Sequence, residues 1–403
     1  MSRARRVCVV TGSRAEWGLL QDLVQALQAA AAVDVQLLVT GSHLAAQHGA
    51  TITEIEASGI RVDHCVHLLQ AAGAGVDVAG SCAAGAMPLL QALREGDPEV
   101  VVVLGDRYET FLVAALAFLD RRRIAHIHGG EVTAGAVDDG LRHAISKLAS
   151  WHFPCSPVYA ARLAQMGEPQ ARIVVAGALG SRRLAQGPQA GAAVLARLGL
   201  RLESPLVLLT QHPSTAHPGR SEDEVAALCA AVRALAPGTL VVSGPNADHE
   251  GERLRPHLAD LCAELPNAAL VANLGRQRYH DLLGIADLMV GNSSSGLLEA
   301  YLYRLPVVDV GDRQTGRLRS ANVLHVPATI AAVLQAMRQA LAPGFRRGLP
   351  ELDGIYGAGD AAERIADTLA TAPLPTLAKD FIDGPVVEQL TAAWGQGGGA
   401  WDR

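Results

Sequence analysis

The sequence predicts an α/β protein made of two Rossmann-like domains with parallel sheets. Three observations carry this. Short β-branched runs recur along the chain, each closed by a Gly, Ser or Asp turn and followed by a helical stretch. The runs are continuously apolar rather than alternating, as in strands covered by helices on both faces. They also fall into two series, in a chain of 403 residues that at roughly 150 per domain holds two or three domains.

In the first series, strands are expected over 7–10, 35–39, 100–104, 124–127 and 173–176; in the second, over 206–209, 240–242, 268–271, 288–290 and 307–310. Strand–helix alternation gives βαβ units. Gly177, Gly187, Pro188, Gly191 and Pro205 mark the break, so domains are expected over 1–185 and 186–372. After residue 310 the strand signal thins. Segments 329–341 and 361–371 read as terminal helices on either side of a Pro/Gly-rich stretch, 343–359. The remainder, 373–403, has little periodicity and closes on Gly397-Gly398-Gly399 before Ala400 and Trp401. It is expected to be a loose or interacting tail, or to return to the first domain.

Composition excludes several classes. A net charge of −6 and a pI near 6.2 argue against a nucleic-acid binder held by a basic face. With 49% hydrophobic and 18% charged residues, a large core forms without disulfides. The six cysteines are scattered, with no CxxC pair and no Cys/His cluster at metal spacing, and read as reduced core residues. The basic start, 1–6, precedes an apolar run that breaks at Thr11-Gly12-Ser13-Arg14. A signal h-region needs roughly 7–15 apolar residues and a membrane span about 20, so this run is a buried strand. A soluble, cytoplasmic protein without a membrane partner is expected.

Open α/β sheets bind ligands beyond the carboxyl ends of their strands. There this sequence places Ser13-Arg14-Ala15-Glu16, Asp106-Arg107-Tyr108-Glu109, His126 to Glu131, Asp138-Asp139, Arg142-His143, Gln211-His212-Pro213, Asn246 and Gly291 to Gly296. Polar strand ends on two domains imply a cleft between them. The Gly291–Gly296 loop, with Ser293, Ser294 and Ser295, lets backbone and hydroxyl donors approach an anion, and Arg313 and Arg317 suit a diphosphate. An ordinary helix cap at Ser294, with Glu299 in the first turn, accounts for part of the same pattern. Asp106, Glu131, Asp138 and Asp139 can supply an acid and a base, or cap helices and pair with arginines. His126 and His128 alternate on one strand and could form a metal pair with Glu131. Alternatively one is buried and hydrogen-bonded while the other lines the cleft. His212 ends a strand of the other domain.

In this order, TGSRAEWGLL, GDRYE, AHIHGGEVTAGAVDDGLRHAISKL, TQHPST, GPNAD, NLGRQRYHDLL, GNSSSGLLEA and VGDRQTGR resemble the hydrolysing UDP-N-acetylglucosamine 2-epimerases of sialic-acid-type biosynthesis. The resemblance spans about residues 7–320. It implies a glycosyltransferase-B type fold with a nucleotide sugar in the cleft. The implied reaction eliminates UDP between C1 and C2, giving a 2-acetamido-glycal, and hydrates it to the free 2-epimer such as N-acetylmannosamine. No NAD is required, because no hydride leaves, and metal is not obligatory.

The resemblance also implies site residues. Asp106 matches a catalytic aspartate and His212 a cleft histidine. Arg14 matches an arginine near the diphosphate. Ser293, Ser294, Ser295 and Glu299 match diphosphate and ribose contacts, and Tyr279 the position packing near uracil; Gly296, Arg313 and Asn246 are expected to bind the UDP beside them. Some members read HIEGGE where this chain has His128, so the proton-transferring group is His128, Glu131 or one of Asp138 and Asp139. A variant subgroup acts on UDP-2,4-diacetamido-2,4,6-trideoxy sugars of legionaminic-type biosynthesis. A non-hydrolysing epimerase and a glycosyltransferase-B transferase are further alternatives. A homo-oligomer, dimer or tetramer, is expected.

Overall fold

Val100-Val101-Val102-Val103-Leu104 is an unbroken apolar run, and every one of its side chains is buried in the middle of a parallel sheet. Helices cover both faces of such a strand, so no polar position survives. The structure, a computed structural model, describes residues 3–44, 51–68, 71–72, 75–133, 137–182, 184, 186–213, 219–244, 249–272, 274–351 and 355–385. It forms two compact units, Met1–Glu131 with Val137–Leu179 and Ala361–Arg403, and Val132–Ala136 with Gly180–Asp360.

The first unit runs β1 (Arg5–Thr11), α1 (Arg14–Ala29), β2 (Val33–Val39), α2 (Ile52–Ala57), β3 (His64–Cys65), an antiparallel pair β4 (Ala71–Ala72) and β5 (Gly75–Val76), and α3 (Val78–Gly96). It continues with β6 (Val100–Leu104), α4 (Tyr108–Leu119), β7 (Arg123–Ile127), α5 (Val137–Leu148), β8 (Trp151–Phe153) and α6 (Pro157–Gln165). Its main sheet is parallel, in the order β3-β2-β1-β6-β7-β8. The strand expected over 173–176 does not form. Ile173 makes only an isolated bridge to His152, and the sixth strand is β8. β8 is three residues long with a histidine at its centre, which breaks the apolar signal.

The second unit has α7 (Pro188–Arg197), β9 (Leu206–Thr210), α8 (Ser221–Leu235), β10 (Thr239–Ser243), α9 (His249–Glu264), β11 (Ala268–Val271), α10 (Arg276–Leu283), β12 (Leu288–Gly291), α11 (Ser295–Leu298), β13 (Val307–Val310), β14 (Val323–Val326), α12 (Ile330–Ala340) and α13 (Pro343–Gly348). Its parallel sheet repeats the first order, β11-β10-β9-β12-β13-β14. β14 escaped the sequence reading because it is an edge strand with a central histidine and only half-buried apolar residues.

The boundary expected at 372 moves. α14 (Ala361–Thr371) belongs to the first unit, where Ala361, Ile365 and Leu369 join the core around Leu20, Leu23 and Leu27 of α1. Arg5 fixes its end by donating to the carbonyls of Leu369 and Ala372. The chain beyond is strapped to the same unit. Arg123 Nε donates to the Pro375 carbonyl at 2.7 Å, and Lys379 Nζ to Lys147 and Ala149 carbonyls at 2.8 and 2.9 Å. Lys379 also pairs with the buried Glu168 at 2.5 Å. The Gly-rich end lies outside the described residues. Among those described, no helix is long and apolar enough to cross a membrane.

Candidate active site

Both sheets change winding direction next to their first strand, between β1 and β6 and between β9 and β12. Such switch points open a crevice at the carboxyl ends of the strands. In the first unit, β6 ends at Leu104, and Gly105 turns the chain with a left-handed φ of 76°. Asp106 follows and pairs with Arg142 of α5, a guanidinium with 4% of its side chain exposed. Arg142 also reaches Asp139 at 3.4 Å, and Asp139 lies 3.5 Å from His143. Asp106 and Asp139 therefore share one buried cation. Asp138, also in the first turn of α5, is exposed.

The two histidines do not form a pair. His126, at the end of β7, is fully buried and bonds Ser146 Oγ at 3.0 Å and the Gly105 carbonyl at 2.8 Å. Burial drives its pKa down to about 3, against a smaller upward pull from the Gly105 carbonyl, so it is a neutral strut under the Asp106 turn. His128 lies past the strand with φ 63°, a left-handed conformation that is costly for a residue with a Cβ. Its Nε2 accepts from Leu179 N–H at 3.2 Å, and its Nδ1 lies 3.4 Å from Glu131 Oε1. The buried Cys155 thiol donates to the same oxygen at 3.2 Å. No spacing in the sequence joins Cys155 to this loop. It arrives because β8 pairs with β7.

At the end of β1, Ser13 caps α1 by accepting from Glu16 N–H, and Glu16 Oε2 accepts from Gly12 N–H at 2.6 Å. Burial raises the Glu16 carboxyl to about 7, against the opposing pull of Gly12 N–H and Arg107. Arg107 pairs with Glu109 at 2.8 Å. Arg14, expected at the diphosphate, makes a half-exposed ion pair with Glu54 at 3.2 Å.

In the second unit, Asn292 organises the switch point. Its side chain clamps the His212 backbone, accepting from N–H and donating to the carbonyl, both at 2.7 Å. Its own carbonyl accepts from Arg313 Nη1 at 3.1 Å and Gln314 Nε2 at 2.8 Å. Gly291 precedes it with φ 128°, where any Cβ would collide with the Thr210 carbonyl. Around this node the side-chain amide of buried Gln211, Nδ1 of His212 and Oε1 of Gln314 have no hydrogen-bond partner among the described residues. Native proteins pair such groups with protein, ordered water or a bound molecule, so this polar set is open to one of the last two. Burial first, then the Arg313 charge, lowers His212 to about 4 and keeps the imidazole neutral near pH 7.

The serine loop differs from an ordinary cap. Ser294 is helical and accepts no capping bond, and α11 is a single turn of four residues, so Glu299 falls at its end rather than in a first turn. Ser295 donates its hydroxyl to Glu299, and Tyr279 donates to Ser295 at 2.8 Å. Burial raises both the Tyr279 phenol and the Glu299 carboxyl. Asn246 lies outside the described residues. A cavity of about 900 Å³ in this unit, lined by Ser204, Asp287, Pro306 and Arg346, sits at the opposite, amino ends of β9, β12 and β13. It is not part of the switch point.

Twin doubly wound sheets, each with polar side chains at its carboxyl edge, place the chain in the class of two-unit doubly wound α/β proteins. The chain belongs to the UDP-N-acetylglucosamine 2-epimerase family, whose model matches residues 25–370. It is 33% identical to the Campylobacter jejuni GDP/UDP-N,N'-diacetylbacillosamine 2-epimerase (hydrolyzing), over 94% of this chain and 99% of that protein. With the Legionella pneumophila UDP-N,N'-diacetylbacillosamine 2-epimerase (hydrolyzing) it shares 32% identity over 92% and 97%. Its fold matches the crystal structure of UDP-GlcNAc 2-epimerase from Neisseria meningitidis bound to UDP-GlcNAc with a TM-score of 0.73, at 18% identity over 90% and 99% of the two chains.

Proposed function

We propose that the chain is a hydrolysing 2-epimerase of UDP-2-acetamido sugars. It expels UDP by elimination across C1 and C2 and adds water to the 2-acetamido-glycal, releasing the free 2-epimer. The observation that carries this reading is the carboxylate set on adjacent strand ends, Asp106 held by Arg142 and Glu131 held by His128 and Cys155, in a chain of this family.

The hydrogen at C2 is weakly acidic, so elimination needs a close, oriented base and stabilisation of the departing diphosphate. The first unit is assigned the proton transfers. Asp106 and Glu131 are the candidates. His128 is the positioning partner of Glu131, because its Nε2 is already taken by a backbone N–H and its Nδ1 faces the carboxylate. Asp139 shares Arg142 with Asp106 and completes that group, whereas Asp138 faces outward. The second unit is assigned the UDP, with Ser293, Ser294, Arg313 and neutral His212 toward the diphosphate and Glu299 toward the ribose hydroxyls. Arg14 is left a supporting role at the end of β1.

N,N'-diacetylbacillosamine is the favoured sugar, because relatives at 33% and 32% identity are named for it, against 28% for a Neisseria meningitidis UDP-N-acetylglucosamine 2-epimerase. All six cysteines are free thiols, which suits work in the reducing cytoplasm. A panel of UDP-2-acetamido sugars, with UDP release followed and the sugar product analysed by NMR, tests the reading. Fastest turnover on the 2,4-diacetamido-trideoxy sugar, with a free 2-epimer as product, is expected. Intact epimerised UDP-sugar, or transfer to an acceptor, overturns it.

A further inference from the structure

Three potential metal ligands, His128 Nδ1, a Glu131 oxygen and Cys155 Sγ, lie within 4.8 Å of one another, and all three residues are buried. The hydrogen bonds say what the cluster is for. Leu179 N–H donates to His128 Nε2, so that nitrogen offers its lone pair and the ring proton resides on Nδ1, facing Glu131 Oε1 at 3.4 Å. A cation on Nδ1 would displace that proton, and its other seat, Nε2, faces the Leu179 N–H. The thiol of Cys155 points its hydrogen at the same Glu131 oxygen, 3.2 Å away. The thiol donor and the imidazole Nδ1 thus both face one carboxylate oxygen. That is a set built to hold an anion rather than to ligate a cation.

We propose that Cys155 is a positioning residue for Glu131. Together with His128 it holds the Glu131 carboxylate ionised and in one orientation, ready to accept a proton. Hydrogen bonds to the charged form of an acid favour that form. Arg162 of α6 also faces this loop, and its guanidinium donates to the Gly130 carbonyl. A thiol is a weak donor, so its share is modest and measurable. The proposal rests on the assignment of Glu131 to proton transfer.

The test compares the full-length protein with Cys155→Ala, Cys155→Ser and Glu131→Gln, reading UDP release from a UDP-2-acetamido sugar across pH and UDP affinity by calorimetry. Loss of the donor is expected to lower kcat about tenfold and move the acidic limb of the pH–rate profile up by roughly half to one pH unit, with KM and UDP affinity within about twofold. The serine variant keeps a donor and is expected to restore the wild-type limb. If Cys155→Ala does not fold, Cys155→Ser carries the test, since a serine profile shifted from wild type contradicts the proposal. An unshifted profile in Cys155→Ala makes the residue packing only. Stoichiometric zinc in the purified protein, lost in Cys155→Ala and accompanied by chelator-sensitive turnover, overturns the donor reading in favour of a metal. Full turnover in Glu131→Gln instead removes the Glu131 assignment itself.

Discussion

Asp106 was legible as a polar residue at a strand end, but its partner was not. Arg142 lies on a different element, and the sequence offers Arg107 as the nearer cation. Arg107 turns instead to Glu109, leaving Asp106 to the buried arginine of α5. Asp106→Asn keeps the shape and removes the charge, so kcat is expected to fall by about 10²–10⁴-fold, the usual worth of acid–base catalysis. UDP affinity by calorimetry is expected to stay within about twofold, because proton transfer is felt only in the transition state. Arg313→Ala should do the reverse, weakening UDP binding by roughly tenfold or more through loss of a charge-assisted contact. Equal UDP affinity in wild type and Arg313→Ala would move the diphosphate elsewhere. Glu16 gives a pH signature. Burial raises its folded-state carboxyl to about 7, above the unfolded value, so its contribution to stability is present at low pH and lost as pH climbs through that range. Glu16→Gln can still accept from Gly12 N–H but stays neutral, so it is expected to gain stability over wild type between about pH 5 and 8. Parallel thermal-melt curves across that window contradict the assignment.

At the scale of elements, unbroken apolar runs marked the central strands correctly because burial on both faces leaves no other composition available. β8 and β14 do not stand out in the sequence because β8 is only three residues long and β14 is an edge strand with half-buried apolar positions, so in each a single histidine leaves too short an apolar run, whereas the longer β7 absorbs His126. The serine loop reads as a phosphate cradle at a helix start, yet α11 is one turn long, so the proposed diphosphate contact rests on the hydroxyls and Arg313 rather than on a helix dipole. α14 was legible as a helix but not as part of the first unit. Its amphipathic pattern says which face is buried, not which core buries it. Ile365 and Leu369 are fully buried against α1, so Leu369→Ala is expected to cost roughly 2–5 kcal/mol of first-unit stability, read by chemical denaturation. A loss confined to the second unit's transition would refute that placement.

For the whole molecule, two copies of one strand order explain why polar residues far apart in sequence recur at equivalent places. Each sheet reverses beside its first strand, and each reversal carries the side chains assigned here, carboxylates in one unit and anion donors in the other. Family order among the sequence motifs implies the same proposed division. What sequence could not supply were the contacts across strands: Cys155 on Glu131, Arg142 on Asp106, and Asn292 clamping His212. The most direct test of the account runs the reaction on the UDP-2-acetamido sugar in D2O and examines the product by NMR and mass spectrometry. Elimination followed by hydration predicts UDP and a free 2-epimer carrying one deuterium at C2. A product that keeps its original C2 hydrogen, or that remains attached to UDP, would contradict it.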